Sequence, residues 1–237
     1  MVAPQSLPAQ LIHTIGREVI SGLLAANTVV TAEDLERRFL VSRTVVREAV
    51  KVLSAKGLVE ARPKIGTVIL DRPRWNLLDA DVIAWHHDTG GYARLTSDLE
   101  EMRRVFEPWA ARTAAERRTD SELGDLEVAY DLMAHRVAEG RVVAAVAEAD
   151  VLFHQVLMAA TQNEFMARLG QLFAPALRLR DVLTMAHSHD DTFLSLHQAV
   201  LDAVRGGRPE EAEHAMRKLL LASAHDSAAI ARSGPLS

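Results

Sequence analysis

The chain has no cysteine, which excludes disulfides, thiolate nucleophiles and cysteine-ligated zinc. It has no run of about 18 or more apolar residues, so no membrane span is expected. Its first residues lack a basic segment followed by an apolar stretch and a small-residue cleavage site. No signal peptide is therefore expected, and the cytoplasm is the default location. There is no internal repeat and no low-complexity tract. What is present suits a folded protein: 237 residues, 49% hydrophobic and 25% charged, enough for one large domain or two smaller ones. The net charge of −5 hides an asymmetry: residues 1–74 carry 11 Lys/Arg against 7 Asp/Glu, and residues 75–237 carry 16 against 25. A basic module joined to a larger acidic one suits a protein that meets phosphate at one end.

The first 70 residues read as an ordered series. Leu7, Leu11, Ile12, Ile15, Val19, Ile20 and Leu23 form a helical stripe, with Pro8 tolerated in the first turn. Residues 27–30 are a break. Thr31, followed by Glu33 and Asp34, predicts the N-cap of a short helix to about Phe39. After a turn at Leu40 and Val41, Ser42 predicts a second cap. The helix that follows runs to about Lys56, with Val46, Ala49, Val50 and Leu53 inward and Gly57 as its stop. Residues 58–61 and 67–70 read as strands joined by a turn at Pro63–Gly66. This is the plan of a winged helix-turn-helix. Ser42, Arg43, Thr44 and Arg47 cluster at the start of the third helix. Its free N–H groups and dipole favour phosphate there, and arginine is well matched to guanine edges. Spacing alone fits a solvated face equally well. The winged context, with Lys64 and Gly66 at the hairpin tip, favours the DNA reading.

Asp71–Arg74 reads as the linker, giving domains at 1–74 and 75–237. Beyond it no strand is expected. A short helix over 81–87 and amphipathic helices over 96–118, 121–138, 141–161, 163–185, 192–205 and 209–231 predict an antiparallel all-helical bundle. Pro108 and Pro175 are expected to kink or end helices. Asp150 and His154, one turn apart, put a carboxylate and an imidazole on one helix face. That spacing serves a metal site, and it serves a simple hydrogen-bonded pair as well. His187, His189 and Asp190 read as a polar loop.

Residues 10–70 resemble the winged-helix domain of the GntR family of bacterial regulators, on the run Val41-Ser42-Arg43-Thr44-Val45-Val46-Arg47-Glu48-Ala49, the Gly57-Leu58-Val59 step and the glycine-containing wing. Residues 80–230 resemble the FCD ligand-binding domain of the family's FadR-type branch. The resemblance implies a mainly α fold and a homodimer acting on operator DNA, most often as a repressor. Arg43 and Arg47 become base or phosphate readers, Ser42 and Thr44 phosphate contacts, and Gly66 the wing tip. Glu33 departs from the pattern, which usually has arginine there, so a different operator is implied.

The same resemblance implies a divalent metal, zinc or nickel, held by Asp150, His154 and His197. The usual fourth ligand falls on Leu219, which cannot ligate, and His214 and His225 lie on other faces. Arg103 is implied to bind the effector's carboxylate, with Arg178 and Arg180 as further cavity candidates. The stretch from Arg72 to Trp85 is similar to the sugar-acid-sensing subset, which implies an aldonate or similar hydroxy acid. Trp75 and Trp85 are then expected to pack the linker on the helical domain. The competing readings are a metal-dependent enzyme built on Asp150, His154 and His197, for which no base or nucleophile stands out, and a dimerisation scaffold.

Overall fold

The computed structural model describes residues 6–90, 92–140, 142–187 and 192–233. His189 and Asp190 lie outside the described residues, as does the side chain of His225. By contacts the chain divides into two compact units, Met1–Tyr92 and Ala93–Ser237.

The first unit holds α1 (Leu7–Ile20), β1 (Val29–Val30), α2 (Ala32–Phe39), α3 (Arg43–Ala55), β2 (Val59–Arg62), β3 (Gly66–Ile69) and α4 (Ala80–Asp88). Thr31 and Asp34 close a reciprocal capping box on α2, satisfying donors that a helix start leaves free. Leu40 takes a left-handed conformation and turns the chain into α3. Gly57 also has positive φ, and a Cβ there would lie 2.2 Å from the carbonyl oxygen of Arg74. Glycine is thus required twice over, by conformation and by the closeness of the linker. The sheet has order β1-β3-β2, with both pairs antiparallel. The strand β1 replaces the expected break. Two residues carry no periodicity to read, and they pair only because Val29 and Val30 lie opposite Val68 and Thr67.

A second difference concerns the linker. Trp75 and Trp85 pack into the first unit's core with Leu11, Ile15, Leu53 and Leu58. Trp85 donates its indole N–H to His13 Nδ1 at 2.9 Å. The indole of Trp75 donates to the carbonyl of Leu70 at 3.0 Å. Lys56 clamps both Asp79 and Asp81 at 2.7 Å. The first unit therefore extends to Tyr92, beyond the boundary at Arg74 that the linker composition suggested.

Gly16 makes this packing possible. A Cβ there would stand 2.4 Å from the Trp85 ring, which is buried and hydrogen-bonded and cannot retreat. Gly16→Ala gains up to about 1 kcal/mol of helix propensity but overpacks the core, which costs about 1–3 kcal/mol. We expect a net loss of stability, read as a lower midpoint in urea unfolding. An unchanged or raised midpoint would mean that Trp85 is free to move.

The second unit comprises α5 (Tyr92–Arg117), α6 (Asp120–Ala138), α7 (Val143–Ala159), α8 (Glu164–His187), α9 (Thr192–Arg205) and α10 (Pro209–Ser233). These are the six long helices that the periodicity predicted. Pro108 and Pro175 sit inside continuous helices and end neither. The core joins Leu126 and Met133 of α6, Phe153 and Leu157 of α7, Val200 and Val204 of α9, and Met216 and Leu220 of α10. Helix α7 is buried on almost every side, as expected of a helix that is apolar all round. Its buried polar residues are Asp150 and His154, each 1% exposed. No helix among the described residues is long and apolar enough to cross a membrane.

Candidate functional site

Two places carry functional chemistry. The first is the start of α3. Ser42 is extended, and its side chain makes no cap hydrogen bond. Ser42, Arg43, Thr44 and Arg47 are all exposed, while Val46, Ala49 and Leu53 anchor the opposite face. The sequence pattern is thus realised as a buried stripe that presents four polar side chains at a helix N-terminus. Lys64 is exposed at the hairpin turn with φ of 64°. Gly66 lies just past the tip and opens β3. A Cβ there would press within 3.0 Å of the carbonyl oxygen of Val30, so this glycine also lets β1 and β3 close. Glu33 lies beside the recognition end, its carboxylate 3.4 Å from the Arg43 guanidinium.

The second place is inside the helical unit. Asp150, His154 and His197 are buried, and each offers a ligand atom within 4.8 Å of the others. His197 Nδ1 lies 2.8 Å from the carbonyl oxygen of Phe193. A carbonyl only accepts, so Nδ1 carries the proton and Nε2 of the neutral ring is a bare lone pair. That lone pair faces Asp150 Oδ1 at 2.8 Å, and neither atom has a hydrogen-bond partner. Such a contact is satisfied by a proton shared between the two atoms or by a metal ion that both ligate. His154 sits beside them, with an Arg103 guanidinium N–H directed at its Nε2. Its Nδ1 lies 2.9 Å from Glu107 Oε2, and its Nε2 stands 3.8 Å from Asp150 Oδ1 and 3.1 Å from Arg103.

Around these three lies a ring of buried charge. Arg103 donates to Glu107 at 2.6 and 3.2 Å. Arg180 bonds Glu100 at 3.2 Å, and it also bonds Asp181 and Ser223. Burial would raise the Glu107 carboxyl, but Arg103 and His154 hold it well below the usual carboxylate range. Burial would likewise raise Asp150, and His154, His197 and Arg180 hold it well below. Asp181 goes the other way, pushed up by burial and by the neighbouring Asp150 carboxylate. Four buried carboxyl groups thus face two buried guanidiniums and two imidazoles, and the raised Asp181 is the one that favours its neutral form.

Asp150 and His197 open onto a cavity with an empty volume of about 730 Å³, counting its mouth. Arg180, Asp181, Thr184, Thr192 and Ser223 complete its polar side. Val143, Val146, Met185, Phe193, Leu196 and Leu219 form its apolar side. Of the arginines singled out in the sequence, Arg180 lines this cavity. Arg103 does not line it; its guanidinium is spent on Glu107, Glu100 and His154. Arg178 pairs with Glu148 on the surface. Two residues apart on a helix, Arg178 and Arg180 point to nearly opposite sides, so only one can reach the interior. Glu100, Glu107 and Asp181 were not picked out from the sequence. A signal existed for two of them: Glu100, Arg103 and Glu107 fall at i, i+3 and i+7, a charged stripe on one face of α5.

Comparison with known proteins gives a consistent picture. Residues 7–69 match the family model described as "Bacterial regulatory proteins, gntR family", and residues 98–222 match that of the FCD domain. The chain is 30% identical over 219 residues to the galactonate operon transcriptional repressor of Escherichia coli (strain K12), covering 90% of this chain and 93% of that protein. Among solved structures, a GntR protein of Streptococcus agalactiae is 25% identical with a TM-score of 0.50, covering 96% of this chain and 100% of the other. The Listeria monocytogenes regulator Lar is 17% identical with a TM-score of 0.64, covering 95% and 98%, and shares the fold.

Proposed function

The chain belongs to the GntR family of bacterial regulatory proteins, in its FCD-bearing branch, and from that membership we propose that it is a cytoplasmic, homodimeric repressor released from its operator by a small hydroxy acid bound at a divalent metal. It is a transcription regulator with a DNA-binding domain, which sets aside the metalloenzyme alternative. Arg43 and Arg47 read base edges, Ser42 and Thr44 hold phosphates, and Lys64 carries the wing into the neighbouring groove. Two such heads on a dimer read a two-fold symmetric site with half-sites about one helical turn apart.

The observation that carries the effector reading is the bare His197 Nε2 facing Asp150 Oδ1. A shared proton would also bridge those two atoms, and metal analysis separates the two cases; a divalent cation would take both lone pairs as ligands. The donors also suit such an ion: two imidazoles and a carboxylate favour zinc or nickel. His154 and Asp150 come from one helix and His197 from another. Phe193 and Glu107 hold the imidazole protons on the far nitrogens, the outer support common behind metal-bound histidine. The bound ion supplies an attachment point for a carboxylate and its neighbouring oxygen. Arg180, on the cavity wall, is placed to take the carboxylate's other side. An aldonate is one candidate, on the strength of the galactonate operon repressor's name. Effector binding then shifts the population between DNA-competent and incompetent arrangements.

Metal binding is tested on protein purified without chelator. We expect roughly one zinc or nickel per chain by elemental analysis. With free metal at about 100 times its dissociation constant, folding should gain about 2.7 kcal/mol, seen as a drop in melting temperature when chelator is added. Absence of metal, together with a melt indifferent to added ion, would defeat this part of the reading. DNA binding is tested by gel shift against the gene's own upstream region at low salt, where a complex should form and then dissociate with the effector.

The dimer has a structural counterpart. Met102, Val105 and Trp109 leave an exposed apolar stripe on α5, and Phe165 and Leu172 leave one on α8. The two helices meet through Phe106 and Leu169 over Ala110, Met158 and Met166. Phe165 is 84% exposed and Val105 69%, a large apolar area for a monomer to leave wet. A second copy of this chain covers it. Val105→Glu with Phe165→Glu should give monomers by light scattering and lose cooperative operator binding; a dimer of unchanged affinity would place the interface elsewhere.

A further inference from the structure

We propose that the effector is a 2-hydroxy or 2-oxo acid with an apolar side chain, branched aliphatic or aromatic, and that the cavity disfavours a polyhydroxylated sugar acid. This rests on the effector-site reading above and narrows its ligand class.

The cavity is divided by chemistry. Its polar groups are gathered at one end, where α7, α8 and α9 bring Asp150, Arg180, Asp181 and His197 together. Three protein donors leave a bound divalent ion with open positions, and a carboxylate with an adjacent oxygen fills two of them. That accounts for the head of the ligand and occupies the polar end beside Asp181.

The remaining wall is mostly apolar, with Thr192 at its edge. Val146, Met185, Phe193, Leu196 and Leu219 present hydrocarbon and a thioether. The Thr184 hydroxyl donates to the backbone carbonyl of Arg180 at 3.0 Å, and the Ser223 hydroxyl accepts from the Arg180 guanidinium. Both hydroxyls thus sit at the Arg180 end of the cavity, with the other polar groups. Leu219 is the informative residue. It stands on α10, 4% exposed, and extends the apolar wall. Phe193 packs its ring at 4.6 Å between centroids on His197, so aromatic surface begins directly beside the metal-binding imidazole. A sugar acid carries a hydroxyl on every carbon of its tail. Each one buried here without a partner loses on the order of tenfold or more in affinity. An alkyl or aryl tail gains on the same wall, about fourfold per buried methylene.

The two classes can be compared with the same head group. Metal-loaded full-length protein is titrated calorimetrically with 2-hydroxyisocaproate, phenyllactate and galactonate, all 2-hydroxy acids, and again after chelation. We expect one of the two apolar acids to bind at least about tenfold more tightly than galactonate, and only in the presence of metal. Leu196→Asn, at a half-buried position on the apolar wall, should narrow that ratio without changing the affinity for zinc measured separately. Galactonate binding as tightly as or more tightly than both apolar acids, still requiring metal, overturns the inference and leaves the metal-dependent effector site intact. Binding that ignores the metal, or no binding by any of the three to protein shown to hold zinc, removes the site reading and this inference with it.

Discussion

Arg43→Ala is expected to abolish specific operator binding while leaving the fold unchanged. The side chain is exposed at the first turn of α3, and its one partner among the described residues is the exposed Glu33 carboxylate. An exposed ion pair of that kind contributes about 0–1 kcal/mol, so folding loses almost nothing. On DNA the balance reverses. A bidentate arginine–guanine contact discriminates by about 1–3 kcal/mol, and a dimer makes it twice. The expected loss is therefore about 2–6 kcal/mol, or roughly 30-fold to more than 10,000-fold in the dissociation constant. Non-specific binding should weaken far less, because it scales with the number of phosphates neutralised. Gel shifts on operator and scrambled DNA, with circular dichroism as the check on folding, measure both. Equal weakening on the two DNAs would demote Arg43 to a phosphate contact. Loss of helical signal would make it structural.

Arg103→Met is expected to cost about 3–5 kcal/mol of stability in the helical unit, because it strands a buried carboxylate. The Arg103 guanidinium and Glu107 carboxylate are both almost fully buried and make two direct hydrogen bonds. Glu107 also faces His154. With the cation gone, Glu107 must stay charged in an apolar interior or take up a proton. Its depressed pKa fixes the sign. The carboxyl is held below its unfolded value, so the native pair adds stability at neutral pH that is lost as pH falls through the acid range. The variant should therefore show a flatter fall of stability from neutral to acid pH. A unit of this size should melt lower by about 6–20 °C at neutral pH. Arg103→Met with Glu107→Leu should recover much of the loss, since replacing both charges by apolar groups of similar size is often tolerated. If Arg103→Met instead melts normally and loses only effector affinity, the family-based expectation of a direct effector contact is restored.

The two variants separate what was readable from what was not. Arg43 is local: its helix start, its exposure and its i, i+4 partner Arg47 follow from Ser42, Val46, Ala49 and Leu53, all within one short segment. The capping box of Thr31 and Asp34, the stop at Gly57 and the six long helices of the second unit are of the same kind. So is the placing of Asp150 and His154 on one face. Arg103 is not local. Its partner His154 is 51 positions away, and whether it meets effector or Glu107 depends on how α5 is rotated against α7. The choice of Arg180 over Arg178 is likewise made by the rotation of α8. Trp85 is apolar and was bound to be buried, but nothing in its neighbours said against which unit; Gly16, 69 positions earlier, holds the space.

Sequence alone determined the elements, their order and the chemistry each could present, because caps, periodicities and glycine stops act within a few residues. The tertiary structure decided which charged groups became support and which reached the cavity, and which unit claimed the linker. It did so because burial makes unpaired charge and empty space costly, and a partner that removes either cost is chosen by distance in space, whatever its distance along the chain.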